Sequence, residues 1–142
     1  MQRIITPVAL VFAGALLLSG CTAGGGGATS AAADPCQAVN EEVRDISNGA
    51  QNALAAGGDP SELQASLEGY SERITALDDQ YGADTGTSEA LGVFAEQVDA
   101  AAEFAATLPS DPEAEVDAEA VAENQGAIAE AGTEVTNSCD AG

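Results

Sequence analysis

The sequence predicts an all-α protein, a small antiparallel up-down-up-down four-helix bundle closed by a Cys36–Cys139 disulfide. Three observations predict it. From Cys36 onward the apolar residues recur at steps of three and four, the period of a helix face and not of a strand. Asp-Pro pairs and glycines fall between these runs, where helix starts and stops belong. The intervening stretches are short, which favours antiparallel neighbours.

The first stripe is Cys36, Val39, Val43, Ile46, Ala50 and Ala53 or Leu54. It contains one local conflict, Ser47-Asn48-Gly49, three weak helix formers in a row, where a kink or fray is expected. Gly57-Gly58 closes it. The second stripe is the cleanest: Leu63, Leu67, Tyr70, Ile74, Leu77 and Tyr81. Asp59 caps it, Pro60 takes the first helical position, and Glu62 sits in the first turn. Gly82 is the expected stop. The third stripe runs Leu91, Phe94, Val98, Ala101, Phe104 or Ala105, and Leu108, with Thr87 or Ser88 as cap and Pro109 as terminator. The fourth, mostly alanine, is Val121, Gln125, Ile128, Ala131 or Gly132, Val135 and Cys139. Asp111-Pro112 is its expected start, with Glu113 and Glu115 near the positive end of the helix dipole. Gly126 and Gly132 weaken it.

Composition excludes several functions. The chain has 142 residues, 24 acidic side chains, three arginines, no lysine and no histidine, for a net charge of −21. Such a chain repels phosphate, so a nucleic-acid partner is excluded. Without histidine there is no Ser-His-Asp or Cys-His triad and no His-ligated metal, haem or di-iron site. Hydrophobic residues make up 45%, too many for the signature of a disordered chain.

Residues 1–20 read as a signal peptide. Arg3 supplies a short positive segment, and Ile4 to Leu18 is an apolar run interrupted by Thr6, Pro7 and Gly14. The run is shorter than the ~20 residues a membrane-spanning helix needs. It ends in Leu18-Ser19-Gly20-Cys21, and these four residues resemble the lipobox of bacterial lipoproteins. The resemblance implies cleavage between Gly20 and Cys21 and a diacylglyceryl group on the Cys21 sulfur. Arg3 stands alone, so the general secretory route is favoured over a twin-arginine one. The Ala-rich, Lys-free composition also resembles lipoproteins of high-GC Gram-positive bacteria. Residues 21–35 form the lipidated cysteine and a Gly/Ala-rich linker, with an expected span of roughly 20 Å. Thr22, Thr29 and Ser30 in it are free to carry sugars. The helical domain occupies residues 36–142.

Extracytoplasmic placement bears on the cysteines. In an up-down-up-down bundle Cys36 and Cys139 lie at the same end, and an oxidising compartment joins them. Closing about 100 residues stabilises the fold by roughly 4–5 kcal/mol on the chain-entropy account.

Acidity is the main functional candidate. After cleavage only Arg44 and Arg73 face the 24 carboxylates. Arg44 lies beside Glu41 and Asp45 and Arg73 beside Glu72, an arrangement for local neutralisation. Glu68/Glu72, Glu119/Glu123 and Glu130/Glu134 are repulsive i,i+4 pairs. A solvated, self-repelling surface is the expected role; binding of Ca²⁺ or Mg²⁺ is the alternative. The weak metal candidates are Asp78, Asp84 and Glu89. Asp78 to Glu89 has the twelve-residue length of an EF-hand loop with acids at both ends, but Gln80, Gly82 and Ala83 stand where further ligands and the turn glycine belong. A carboxylate pair for glycoside hydrolysis lacks stacking aromatics, because Tyr70, Tyr81, Phe94 and Phe104 all lie on the core stripes. Gly24 to Gly27 is a linker run with no following lysine, hence no phosphate loop.

The expectation is therefore a non-enzymatic lipoprotein, held by Cys21 at the extracytoplasmic face of a bacterial cell membrane. It has no cofactor and acts as a binding or accessory module through a protein partner in the envelope. No motif in the sequence sets its oligomeric state.

Overall fold

The computed structural model describes residues 34–141 apart from position 112. The signal peptide, Cys21 and most of the linker lie outside the described residues. Among those described, every regular element is helical. Helix α1 spans Pro35–Ala56 and α2 spans Pro60–Leu77. The chain continues without a break through a π-helical stretch, Asp78–Gly82, and a single turn, α3 (Ala83–Thr85). Then follow α4 (Ser88–Ala106) and α5 (Ala118–Asp140).

Three of the four long helices start on an aspartate. Asp34 accepts the Cys36 N–H at 3.0 Å, and Asp59 accepts those of Ser61 and Glu62 at 2.9 and 3.2 Å. Asp117 accepts those of Glu119 and Ala120 at 3.0 and 3.2 Å. Each satisfies backbone donors that have no partner within the helix. Gly57 and Gly86 supply the left-hand φ that turns the chain out of α1 and α3, at 62° and 70°.

Four local expectations are corrected. The last helix begins at Ala118, not after Asp111-Pro112. Asp111 still makes its turn, accepting the Glu113 N–H at 3.0 Å, but the next residues have no core face: Val116 is 43% exposed. A helix without an apolar face to pack gains too little to persist. Gly82 is not a stop, since its φ of −55° keeps the chain helical. It is glycine for space, because a Cβ there would run into the Asp78 carboxylate and the Ser88 hydroxyl. Thr87 makes no side-chain cap; its buried hydroxyl pairs with that of Thr85 at 2.7 Å. Finally, α1 runs unbroken through Ser47-Asn48-Gly49. Ile46 and Ala50 on either side are fully buried, and the Tyr70 ring fills the space a Cβ at Gly49 would need.

The core follows the stripes. Val39, Ile46, Leu67, Ile74, Leu91, Phe94, Val98, Ile128 and Val135 are completely buried, while Tyr70, Tyr81, Phe104, Leu108 and Val121 pack against them from the rim. Helix α1 packs on α2 and α5, and α4 packs on the same two. Gln125, the one polar member of the fourth stripe, donates its amide to the Gln51 carbonyl of α1 at 2.8 Å. Cys36 and Cys139 form a disulfide with Cα atoms 5.6 Å apart, so the first turn of α1 is bonded to the last turn of α5.

Candidate functional site

The acidic surface does not gather into a centre. Every described carboxylate side chain is exposed except those of Glu42 and Asp78, which are half-buried. Among the described residues no three acidic or cysteine side chains are grouped so as to hold a metal ion. The segment from Asp78 to Glu89 is not an open loop, because its backbone stays helical through Thr85. Asp84 and Glu89 point outward as exposed side chains. Asp78 turns inward, and its Oδ1 is buried without a hydrogen-bond partner next to Gly82. The structure therefore does not bring Asp78, Asp84 and Glu89 together.

The two arginines behave differently from each other. Arg73 does not pair with its neighbour Glu72. From α2 it reaches across to α1, donating Nη2–H to Glu42 Oε1 and to Asp45 Oδ2, both at 2.7 Å, and Nε–H to Glu42 at 2.9 Å. Its guanidinium carbon also stands 5.6 Å from the centre of the Tyr70 ring. The hydrogen bonds to Asp45 and then Glu42 raise its pKa above the ordinary arginine value. Sequence adjacency points to Glu72, yet residues one apart on a helix diverge, and a partner on the next helix is invisible until the helices are paired.

Arg44 makes no ion pair among the described residues, and it lines a cleft. This cleft, of about 550 Å³, lies between α1 and α5 and runs toward Cys36. Asn40, Arg44 and Asn48 stand along the α1 side at successive i,i+4 positions, with Ser47 beside them. Thr133 and Thr136 face them from α5. Asn40 Oδ1 is buried and has no hydrogen-bond partner. Two carboxylates, Asp34 and Glu41, also line the cleft, and Glu41 accepts the Gln37 amide at 2.9 Å. Sequence reasoning misses this site. Asn40 and Asn48 look like ordinary exposed helix residues, and only the packing of α5 along α1 makes a wall opposite them.

Comparison with known proteins adds no relative: no protein family, no curated protein and no solved structure matches this chain.

Proposed function

We propose that this chain is a lipoprotein of the extracytoplasmic face of a bacterial cell membrane, tethered through Cys21, and that its helical domain is a non-catalytic binding or accessory module acting on an envelope partner. The observation that carries this reading is Leu18-Ser19-Gly20-Cys21 at the end of an apolar run, followed by a Gly-rich linker. The Cys36–Cys139 bond supports it, since such bonds persist in oxidising compartments. Among the described residues no helix is long and apolar enough to cross a membrane.

The topology that suits this role is up-down-up-down. Contacts along each helix pair support it. On α1 and α5, Cys36 meets Cys139, Ser47 lies against Gly132, and Gln51 meets Gln125, so one chain descends as the other climbs. On α1 and α2, Asp45 meets Arg73 and Gly49 meets Tyr70 in the same opposed sense. On α4 and α5, Gly86 and Glu89 share a groove with Ser138, and Gln97 shares one with Ala127. The domain thus enters from its tether at the end that its disulfide closes.

Metabolic labelling tests the anchor. Expressed in a bacterium with lipoprotein-processing enzymes and fed an alkyne fatty acid, the wild-type chain should take up label and sediment with membranes. Cys21→Ser should do neither in processed form. Equal labelling of both chains, or none of the wild type, would refute the anchor.

A further inference from the structure

We infer that the cleft between α1 and α5 is a binding site for a neutral, hydroxyl- and amide-rich ligand of the saccharide class. The inference deepens the reading of the domain as a binding module and is independent of the anchor. Its size falls in the range of small-molecule sites, about 300–1,000 Å³. Its chemistry differs from the rest of the surface. The described surface is dominated by exposed carboxylates, whereas this cleft sets three amides, three hydroxyls and a guanidinium with no ion pair among the described residues beside only two carboxylates, Asp34 and Glu41. Asn40 and Asn48 stand eight residue steps apart on α1, with Arg44 midway, or roughly 12 Å at 1.5 Å per residue, a length that two or three sugar rings can follow.

The hydrogen-bonding state of these groups points the same way. Thr133 and Thr136 donate their hydroxyl protons to the Ala129 and Gly132 carbonyls of their own helix, at 2.8 and 3.3 Å. Ser47 Oγ already accepts from Gln51 at 2.9 Å. The threonine oxygens are left as acceptors for ligand O–H or N–H groups. Arg44 offers donors for hydroxyl or acetamido oxygens. Asn40 Oδ1 is buried without a hydrogen-bond partner. Asn40 also lines the cleft, so a ligand donor that reaches this oxygen would supply the hydrogen bond it lacks. An anion is the poorer occupant. The carboxylates of Asp34 and Glu41 line the same cleft and disfavour a negative ligand there.

The test is a titration of the full acylated chain, held in a polyoxyethylene detergent that carries no sugar headgroup, followed by backbone and side-chain amide NMR shifts. The probes are N,N′,N″-triacetylchitotriose and maltotriose, with sodium acetate as the anionic arm. Saturable shifts should centre on Asn40, Arg44, Asn48, Thr133 and Thr136. Arg44→Gln and Asn40→Ala should each weaken binding by about fivefold or more, the effect of one lost hydrogen bond, while Glu72→Gln leaves it unchanged. Arg44 is exposed, so its variant tests the site even if the Asn40 variant is poorly folded. Stronger shifts with chitotriose would assign the acetamido group to Arg44; equal shifts would assign hydroxyls. Cys21→Ser should bind as the parent does, which separates this site from the anchor. Absence of saturable shifts with both sugars up to about 30 mM overturns the proposal, and so do acetate binding in their place, shifts centred elsewhere, or an unchanged affinity in Arg44→Gln.

Discussion

Where α1 meets α2, Arg73 crosses to Glu42 and Asp45, and Tyr70 lies in the notch left by Gly49. Where α4 meets α5, the grooves are edged by Glu89, Glu130 and Glu134, and neither helix carries a single cation. The second pair relies on apolar burial, with Leu91, Phe94, Val98, Ile128 and Val135 joined by Ala101, Ala102, Ala105 and Ala131 among its buried positions. One pair is fastened by specific side-chain contacts and the other by apolar area against its own repulsion. The contrast teaches that a uniformly acidic chain places its two domain cations where they do different jobs: Arg73 joins two helices, and Arg44 lines a cleft with no ion pair among the described residues.

The largest expected effect comes from cutting the bond that joins the two pairs. Cys36 belongs to α1 and Cys139 to α5. Replacing both by serine frees a chain of 103 residues' separation and should cost roughly 4–5 kcal/mol. For a domain near 100 residues that corresponds to a fall in Tm on the order of 15–20 °C, readable by circular dichroism. A fall of only a few degrees would mean that packing and the Gln125–Gln51 bond hold α5 on α1 without the disulfide.

Glycines sharpen the comparison further. A Cβ at Gly49 would collide with Tyr70, whereas at Gly92 in α4 and Gly126 in α5 it would meet open space. Gly49→Ala should therefore destabilise, by about 1–3 kcal/mol of overpacking less the helix-propensity gain. Gly92→Ala and Gly126→Ala should each stabilise by about 0.5–1 kcal/mol in denaturant unfolding. Gly49→Ala with the stability of the parent would show that Tyr70 moves aside and fastens nothing.

Reversing one charge probes the repulsion. Glu130 and Glu134 are a like-charge i,i+4 pair on exposed positions of α5. Glu134→Lys converts repulsion into attraction in the favourable Glu-to-Lys order, a gain of about 0.5–1 kcal/mol at low salt that fades by 1 M NaCl. Arg73→Gln should cost about 0.2–1 kcal/mol, the value of an ion pair whose members are 40%, 37% and 68% exposed. CaCl₂ matched to NaCl in ionic strength should raise the Tm of the parent by the same amount as NaCl. A calcium-specific rise would revive Asp78 as a ligand despite its inward orientation.

The helices were legible because their signal is local: a stripe such as Leu63, Leu67, Tyr70, Ile74 and Leu77 reads as one buried face from spacing alone. The disulfide was legible because Cys36 and Cys139 bracket the domain. Other features depend on distance across the fold. Asp111-Pro112 has the local form of a helix start, but Val116 finds no neighbour to bury it, so the start moves to Asp117. Gly82 has the local form of a stop, but the side chains of Asp78 and Ser88 fill its missing Cβ position while the chain stays helical. The cleft was not legible at all, since no motif connects Asn40, Arg44 and Asn48 to Thr133 and Thr136.

The smallest effect concerns the cap of α2. Asp59 has its pKa lowered first by the hydroxyl of Ser61 and then by the N–H groups of Glu62 and Ser61. A carboxylate depressed in the folded state contributes stability that is present above its unfolded pKa, near 3.9, and is lost as pH falls through the lower folded value. Asp59→Ala should therefore melt below the parent at neutral pH, and the gap should narrow as the solution is taken well below the ordinary carboxylate range. Ser61→Ala removes the largest cause of the shift, so in that background the narrowing should be smaller and complete at a higher pH than in the parent. If the gap is the same at pH 7 and about pH 2, the cap does not depend on the charge of Asp59, and α2 is started by Pro60 and the burial of Leu63 instead.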